Sequence, residues 1–457
     1  MANVIVQLRE RLRQRRPFRI DRTAKDVAYP SQVAQSLAEL PADSAQQLVQ
    51  LVKELPSHPC DQEAILQSLR PAIARWKDSP NATNNSLTVL SSPVSAVARI
   101  LAESLEDWST QNALVMELLD WTSRPTNPEQ IQQKMRTALK RNGEETDCQQ
   151  VVVIPNLNWC FLRSAEGLDG IDYLRDNLLS DFSRFWIVGS GQIAWQYLDS
   201  VLKLQAHCGE VIKLPQLSGE QLQDWLMPVI ERLDIQLDEA PIQERLQELG
   251  EESSQSFLEV LKVLFEETRD SLKSLFRVVR EDALASDSGA IGKDMSELEA
   301  HWEDYFERLS DLSDGVGNIA LQLFVKSIYY EEAKAPPKAT PPEAEQTGQK
   351  WAQDSSCDLS SRAGRLIAKM PKLPSLPKLA QSDLYILFSL LVHGDATLTA
   401  LAESLGEERQ LINDSLQVFR KIGLVEQQDR IFWVNPIHYP RLKRHLTSNN
   451  FIVQVSE

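Results

Sequence analysis

The chain has 457 residues, of which 42% are hydrophobic and 25% are charged, and its formal net charge is −17 at pH 7. This length predicts two or three domains, and the composition is ordinary for a folded globular protein. The negative charge excludes a surface that binds nucleic acid or anionic membranes throughout, although local basic patches are compatible with it.

Residues 1–80 are predicted to form a basic arm followed by a helical region. The first 22 residues hold seven arginines and only two acids: Arg9, Arg11, Arg13, Arg15, Arg16, Arg19, Arg22, Glu10 and Asp21. Such a run is usually the solvated start of a helix, but it could also contact an acidic partner, a lipid headgroup or a phosphate backbone. Across residues 32–76 apolar side chains recur at helical spacing, which predicts helices.

Residues 81–216 are predicted to form an α/β domain. Short apolar runs, each bounded by turn residues, lie at 86–90, 113–119, 150–155, 184–189 and 210–215. Helix-like segments separate them at 94–106, 128–141, 168–179 and 193–205. Apolar runs that alternate with helices indicate a five-stranded parallel sheet with both faces covered.

Residues 217–330 are rich in leucine and glutamate, and they are predicted to form a helical lid. Residues 331–379 are rich in proline and alanine, a composition that favours an extended or disordered linker. The segment 361–381 carries five basic residues and no acid: Arg362, Arg365, Lys369, Lys372 and Lys378.

Residues 380–457 are predicted to form a winged helix-turn-helix. Three helical segments, of which two end at Gly394 and Gly406, precede two short strands around Asp429. This order of helices and β-hairpin is typical of that fold.

Cysteine and histidine spacing gives no sign of a metal site. The five cysteines are scattered without a CxxC pair, and the six histidines lack the spacing of metal ligands. Reduced thiols in a cytoplasmic protein are therefore expected. No run approaches the roughly 20 apolar residues of a membrane helix, and residues 4–8 are too short for the core of a signal peptide.

The order of these parts resembles the AAA+ class of P-loop ATPases, in particular its Orc/Cdc6 and STAND-like branches, which often carry a C-terminal winged helix. The resemblance covers residues 81–330 and 380–447. Residues 151–157, "VVVIPNL", are similar to the Walker B strand, and residues 184–195 resemble the next strand with its sensor 1 position. Residues 211–226 resemble the last strand entering the lid, and residues 312–328 resemble the lid helix that usually carries sensor 2.

The catalytic motifs of that family are missing from the positions where the resemblance implies them. The first strand is followed by "SSPVSAVAR", residues 91–99, which has no glycine or lysine to wrap phosphate, and Pro93 has no N–H. The Gly292-Lys293 pair is predicted to lie in a loop, outside any P-loop context. Where the family has an Asp that holds magnesium and a Glu that activates water, this sequence has Pro155 and Asn156, or Asn156 and Asn158, depending on register. The lid segment 318–330 offers only Lys326 where sensor 2 has arginine. The equivalents of the degenerate nucleotide site are Ser91, Ser92, Ser95, Asn156, Asn158, Ser190 and Gln192.

The third helix of the C-terminal domain and the segment after its hairpin carry polar residues that could contact a nucleic acid or a protein partner. These residues are Arg409, Asn413, Arg420, Lys421, Arg441, Lys443 and Arg444. Glu407, Glu408 and Asp414 would meet a DNA surface at the start of the helix, which favours protein docking.

The sequence therefore predicts a non-catalytic AAA+-like scaffold or regulator that acts through protein–protein interactions. One alternative is a nucleic-acid-binding regulator that uses the winged helix. A second alternative is an ATP-binding switch, or an ATPase with an atypical phosphate loop. No catalytic residue, metal or cofactor is predicted, apart from ATP or ADP in that second alternative. A membrane surface would be contacted only through the arginine-rich arm.

Overall fold

The computed structural model describes residues 36–79, 85–112, 115–118, 124, 128–139, 150–164, 166–238, 291–331 and 364–451. The arginine-rich arm and the residues 332–363 of the predicted linker lie outside these ranges. No helix within the described ranges is both long enough and apolar enough to cross a membrane.

Two helices open the described chain, α1 (Ala42–Glu54) and α2 (Pro59–Asp78). Each buries apolar residues that recur at helical spacing, such as Leu48 and Val52 in α1. The His58 side chain accepts a hydrogen bond from the Cys60 N–H and so caps the first turn of α2.

The central sheet consists of β1 (Ser86–Ser91), β2 (Val115–Leu118), β3 (Gln150–Ile154), β4 (Arg184–Gly191) and β5 (Glu210–Lys213). Its strand order is β2-β3-β4-β1-β5, and all four pairings are parallel. Every residue of β1 and β4 is buried, as expected for strands covered on both faces. The α/β class with a parallel sheet is thus confirmed.

Four helices lie between these strands: α3 (Val97–Asn112), α4 (Pro128–Leu139), α5 (Asp169–Ser180) and α6 (Gln192–Leu202). Because the strands are parallel, the carboxyl ends of β1, β3 and β4 lie at the same edge of the sheet, and β1 sits between β4 and β5. Parallel α/β sheets bind ligands at this edge, where the strand order reverses. The strands approach closely there, since a Cβ atom at Gly189 would collide with the backbone oxygen of Pro155.

The described part of the segment predicted to be a helical lid contains α7 (Gly219–Leu233), α8 (Ile291–Ser313) and α9 (Gly317–Ser327), and it is called the lid below. Ser218 and Gln221 form a capping box at the start of α7. The prediction of a loop at Gly292-Lys293 was wrong, because both residues belong to the first turn of α8. A glycine is tolerated there, since its cost in a helix is only about 1 kcal/mol relative to alanine.

Residues 364–379 of the predicted linker pack on neighbouring elements, whereas the composition predicts an extended or disordered spacer. Strand β8 (Arg365–Ala368) lies between β6 (Gln236–Leu237) and β7 (Ile328–Glu331). After it, Leu373, Leu376 and Leu379 pack on the core at three-residue spacing. An extended chain with three residues per turn places such leucines on one face, so the proline-rich repeat still buries apolar surface.

The C-terminal unit contains α10 (Gln381–His393), β9 (Ala396–Thr397), α11 (Leu398–Leu405), α12 (Arg409–Lys421), β10 (Val425–Gln428), β11 (Ile431–Val434) and α13 (Tyr439–Ser448). The hairpin strands pair antiparallel, and β9 pairs with β11. Asp429 and Arg430 both have positive φ, 49° and 68°, as the two-residue turn of a tight hairpin requires.

Candidate functional site

The sequence-predicted positions of the degenerate nucleotide site do gather at the carboxyl edge of the sheet. Ser91, Ser92, Ser95 and Gln192 line one cavity at the end of β1. Ser190 at the end of β4 is fully buried and lies within hydrogen-bond distance of Asn158, which follows β3.

Asn158 uses its side chain to hold the neighbouring strand. Its Oδ1 accepts hydrogen bonds from the Gly191 N–H at 3.0 Å and from the Ser190 hydroxyl at 3.3 Å. Asn156 in turn accepts a hydrogen bond from the Asn158 N–H at 3.1 Å and caps a short 3₁₀ turn, Leu157–Trp159. Both asparagines therefore stabilise the edge of the sheet, and as neutral amides they supply no negative charge for a metal ion.

The segment after β1 is covered by the lid and by α13. The Asn318 side chain donates a hydrogen bond to the Val94 carbonyl oxygen at 2.6 Å. Lys443 of α13 forms an ion pair with Asp314 of the lid at 3.2 Å. The lid and the C-terminal unit thus meet above the segment that follows β1.

Tyr439 of α13 reaches the same segment. Burial raises the pKa of its phenol, and the nearby Ser92 hydroxyl opposes that rise. The Ser92 oxygen is buried and makes no well-formed hydrogen bond to any described residue, so this contact is close without having ideal geometry.

A cavity of about 140 Å³ remains between these elements. Small-molecule sites typically measure about 300–1,000 Å³, so this one is small. Its walls come from the loop before α2, from the segment after β1, from the helices α2, α3, α7 and α13, and from the lid turn. The lining residues include Pro56, His58, Asp61, Ser92, Arg99, Trp225, Asp314, Asn318, Tyr439 and Lys443.

Arg99 in the cavity wall is paired. It forms an ion pair with Glu103 at 2.9 Å and also donates to the Leu55 carbonyl oxygen. Burial raises the pKa of Glu103, but the Arg99 guanidinium and the Ser57 N–H outweigh burial and hold the pKa below its ordinary value. These contacts fix the loop before α2 onto α3.

Asp61 differs from the other charged groups of the cavity. Its carboxylate has no hydrogen-bond or ion-pair partner among the described residues, and burial raises its pKa to about 7. His58 is one turn away, where its Nε2 donates to the Gln221 carbonyl oxygen at 3.0 Å and its Nδ1 accepts from the Cys60 N–H. Burial lowers the pKa of His58, so this imidazole is neutral and does not compensate Asp61.

A second cluster joins the core to the C-terminal unit. The Arg124 guanidinium donates to the carbonyl oxygens of Asn158 and, at 3.0 Å, of His393. The His393 ring accepts the Arg163 N–H at 3.0 Å through Nε2, and its Nδ1 donates to the Ser389 carbonyl oxygen at 2.8 Å. The end of α10 is therefore hydrogen-bonded to the loop that follows β3.

Burial determines the charge states in this cluster. Burial lowers the pKa of Arg124 to about 10, with partial compensation from Asp395, so the guanidinium stays charged near neutral pH. Burial and the charges of Arg124 and Arg163 lower the pKa of His393 well below its usual value. We define Arg124, Asn158, Arg163 and His393 as the interdomain joint.

Sequence reasoning missed the joint. The sequence pattern indicates only that His393 ends a helix before Gly394. Arg124 lies in a stretch without helical or strand periodicity. These two residues are 269 positions apart in the sequence, so no local pattern could indicate that they meet.

The predicted contact residues of the C-terminal unit separate into two groups. Arg409, Lys421, Arg441 and Arg444 are exposed, and Asn413 and Arg420 are partly exposed. Lys443 instead faces the cavity and is paired with Asp314. Leu411 and Val418, seven residues apart on α12, are 59% and 57% exposed and share a face of that helix.

No model of a known protein family matches the chain, and no curated protein matches it. Among solved structures, Cdc6p from Pyrobaculum aerophilum has 12% identity and a TM-score of 0.32, with 86% of this chain and 96% of that chain covered. The RuvB Holliday junction branch migration motor of Thermotoga maritima has 13% identity and a TM-score of 0.30, with 84% and 94% covered. The Aeropyrum pernix ORC2 protein has 11% identity and a TM-score of 0.31, with 94% and 97% covered.

Within the described ranges, no group of three or more His, Cys, Asp or Glu side chains is placed to hold a metal ion.

We predict that Arg124→Met destabilises the protein, because it leaves the buried carbonyl oxygens of Asn158 and His393 without their donor. The expected loss in the free energy of unfolding is about 2–4 kcal/mol, measured by urea denaturation. Arg70→Met on the exposed surface of α2 is the matched control and should change stability by less than about 0.5 kcal/mol. Equal effects of the two substitutions would contradict the joint.

We predict that Asp61→Asn stabilises the protein increasingly as pH rises. The folded-state pKa is about 7 against an ordinary 3.8, so the favourable contribution of Asp61 is complete below pH 4 and is lost as pH rises through 7. Its charged neighbours across the cavity, Arg99, Asp314 and Lys443, do not prevent this shift. The advantage of the variant should grow from about pH 4 to pH 7, level off above pH 7 and reach at most about 4 kcal/mol.

Chemical denaturation across that pH range measures this effect. Asp78→Asn at the exposed end of the same helix removes the same charge and should give no comparable trend. A constant difference between the Asp61 variant and the parent would contradict the raised pKa.

Proposed function

We propose that this chain is a degenerate AAA+-like protein that acts as a non-catalytic scaffold or regulator through protein–protein interactions. In this proposal the α/β core and lid correspond to an AAA+ module, and the C-terminal unit is a winged helix-turn-helix. The parallel sheet followed by lid helices, and the three helices followed by a hairpin, support the assignment. A cytoplasmic location remains a prediction.

The observation that carries the proposal is the set of hydrogen bonds made by Asn158. In an AAA+ ATPase the end of this strand would hold magnesium and activate water through carboxylates. Here the Asn158 side chain holds Gly191 and Ser190, and its carbonyl oxygen accepts from Arg124. The position that would do chemistry instead connects the core to the C-terminal unit.

The segment after β1 supports the same conclusion. Phosphate binding by a P-loop depends on a run of free backbone N–H groups and on a lysine. Pro93 has no N–H, and the neighbouring Val94 carbonyl oxygen is held by Asn318. Lys443 lines the cavity, and its charge is neutralised by the ion pair with Asp314.

The exposed face of α12 favours a protein partner for the C-terminal unit. Leu411 and Val418 present apolar surface where a helix that reads DNA would need hydrogen-bonding groups. Three acids just before or within this helix are also exposed and would repel a phosphate backbone: Glu407, Glu408 and Asp414. The nucleic-acid alternative is therefore less well supported than protein docking.

We predict that the purified protein does not bind ATP or ADP with a Kd below about 1 mM, with or without magnesium. Isothermal titration calorimetry measures this directly. Tyr439→Ala, which removes a side chain above the segment after β1, should not create binding, because the phosphate ligands would still be missing. Micromolar binding by the parent protein would overturn the proposal, whereas binding by the variant alone would show that the site is intact but covered.

A further inference from the structure

The cavity at the end of β1 has properties that the proposed scaffold role does not explain. It is lined by residues of α2, α3, α7, the lid turn and α13 together, so a molecule inside it would contact the core, the lid and the C-terminal unit at once. Its volume of about 140 Å³ is close to the roughly 150 Å³ of a cavity that holds benzene. A ligand of about five to seven non-hydrogen atoms therefore fits.

The charges in the cavity wall compensate one another with one exception. Arg99 is neutralised by Glu103 at 2.9 Å, and Lys443 is neutralised by Asp314 at 3.2 Å. Asp61 alone has no partner among the described residues. A partly buried carboxylate without a partner is unusual, because buried charges are normally paired.

An aromatic ring lines the same cavity as this carboxylate. Trp225 is held in place by a hydrogen bond from its indole N–H to the Pro56 carbonyl oxygen at 3.0 Å. It packs edge-to-face against His58, with ring centroids 5.6 Å apart. His58 and Asp61 lie three residues apart at the start of α2, and both line the cavity together with Trp225.

An uncompensated carboxylate and an aromatic ring in the wall of one cavity suit an organic cation, through charge attraction and the negative face of the ring. His58 cannot supply the missing positive charge, since both of its nitrogens are engaged and it is neutral. The remaining wall includes the apolar side chains of Ile100, Leu214 and Leu321, which would contact a short hydrocarbon chain.

We propose that this cavity binds a small alkylammonium ion, with the ammonium group at Asp61 and Trp225 and the alkyl chain against the apolar wall. The inference rests on the proposed function, because it assigns to the former nucleotide edge a cationic ligand in place of a phosphate. Such a ligand bridges the core, the lid turn and α13, and its binding therefore stabilises their association.

The test compares three probes of nearly equal size with the full-length protein at pH 8. These are n-butylamine, which is charged at this pH because alkylammonium groups titrate near 10.4, neutral 1-butanol and anionic butyrate. Binding is followed by calorimetry and by the tryptophan fluorescence of the protein. We expect saturable binding of n-butylamine with a Kd below about 1 mM, and at least tenfold weaker binding of the other two.

Two variants assign the binding to the cavity. Asp61→Asn preserves shape and should weaken n-butylamine binding at least tenfold, whereas Asp78→Asn on the same helix should leave it unchanged. The Asp61 variant is expected to fold, since it removes an unpaired charge. Equal binding of the amine and the alcohol, unaltered binding by the Asp61 variant, or absence of amine binding would overturn this inference.

The nucleotide titration separates this inference from the proposed function. ATP binding would overturn the scaffold proposal whatever the amine result. A failure of the amine to bind, together with a failure of ATP to bind, would leave the scaffold proposal standing and refute only the ligand.

Discussion

Buried polar groups need hydrogen-bond partners, and the Asn158 amide provides them where β3 and β4 end at the carboxyl edge of the sheet. Its Oδ1 accepts from the Gly191 N–H and the Ser190 hydroxyl, which ties the end of β3 to the end of β4. Leaving such a buried donor unpaired would cost about 1–3 kcal/mol. The close approach of these strands, and the position of the loop after β3, depend on this neutral side chain.

The same loop then positions the C-terminal unit. Arg124 bridges the carbonyl oxygens of Asn158 and His393, and the Arg163 N–H donates to the His393 ring. On the other side of the edge, Lys443 meets Asp314. Two sets of polar contacts, far apart in sequence, thus fix α10 and α13 over the carboxyl edge of the sheet.

The sequence predicted those parts of the fold that local patterns determine. The apolar run at 86–90 became β1 (Ser86–Ser91), and the hairpin around Asp429 formed with the expected two strands. The positions of Ser91, Ser92, Ser95 and Gln192 at one cavity followed from the parallel order of strands. Strand β8 was not predicted, because its pairing with β6 and β7 depends on distant strands, while composition indicated only a spacer. The joint and the unpaired Asp61 could not be predicted either, since the burial of Arg124, His393 and Asp61 depends on elements distant in sequence.

Hydrogen exchange at the Arg163 amide tests the central claim most directly, because this N–H is bonded to His393 across the joint. The measurement follows the peptide that contains Arg163 by mass spectrometry, with and without MgATP. A scaffold with a fixed C-terminal unit predicts slow exchange at this amide that nucleotide does not alter. Exchange as fast as in an exposed loop, or protection that changes with MgATP, would contradict the account.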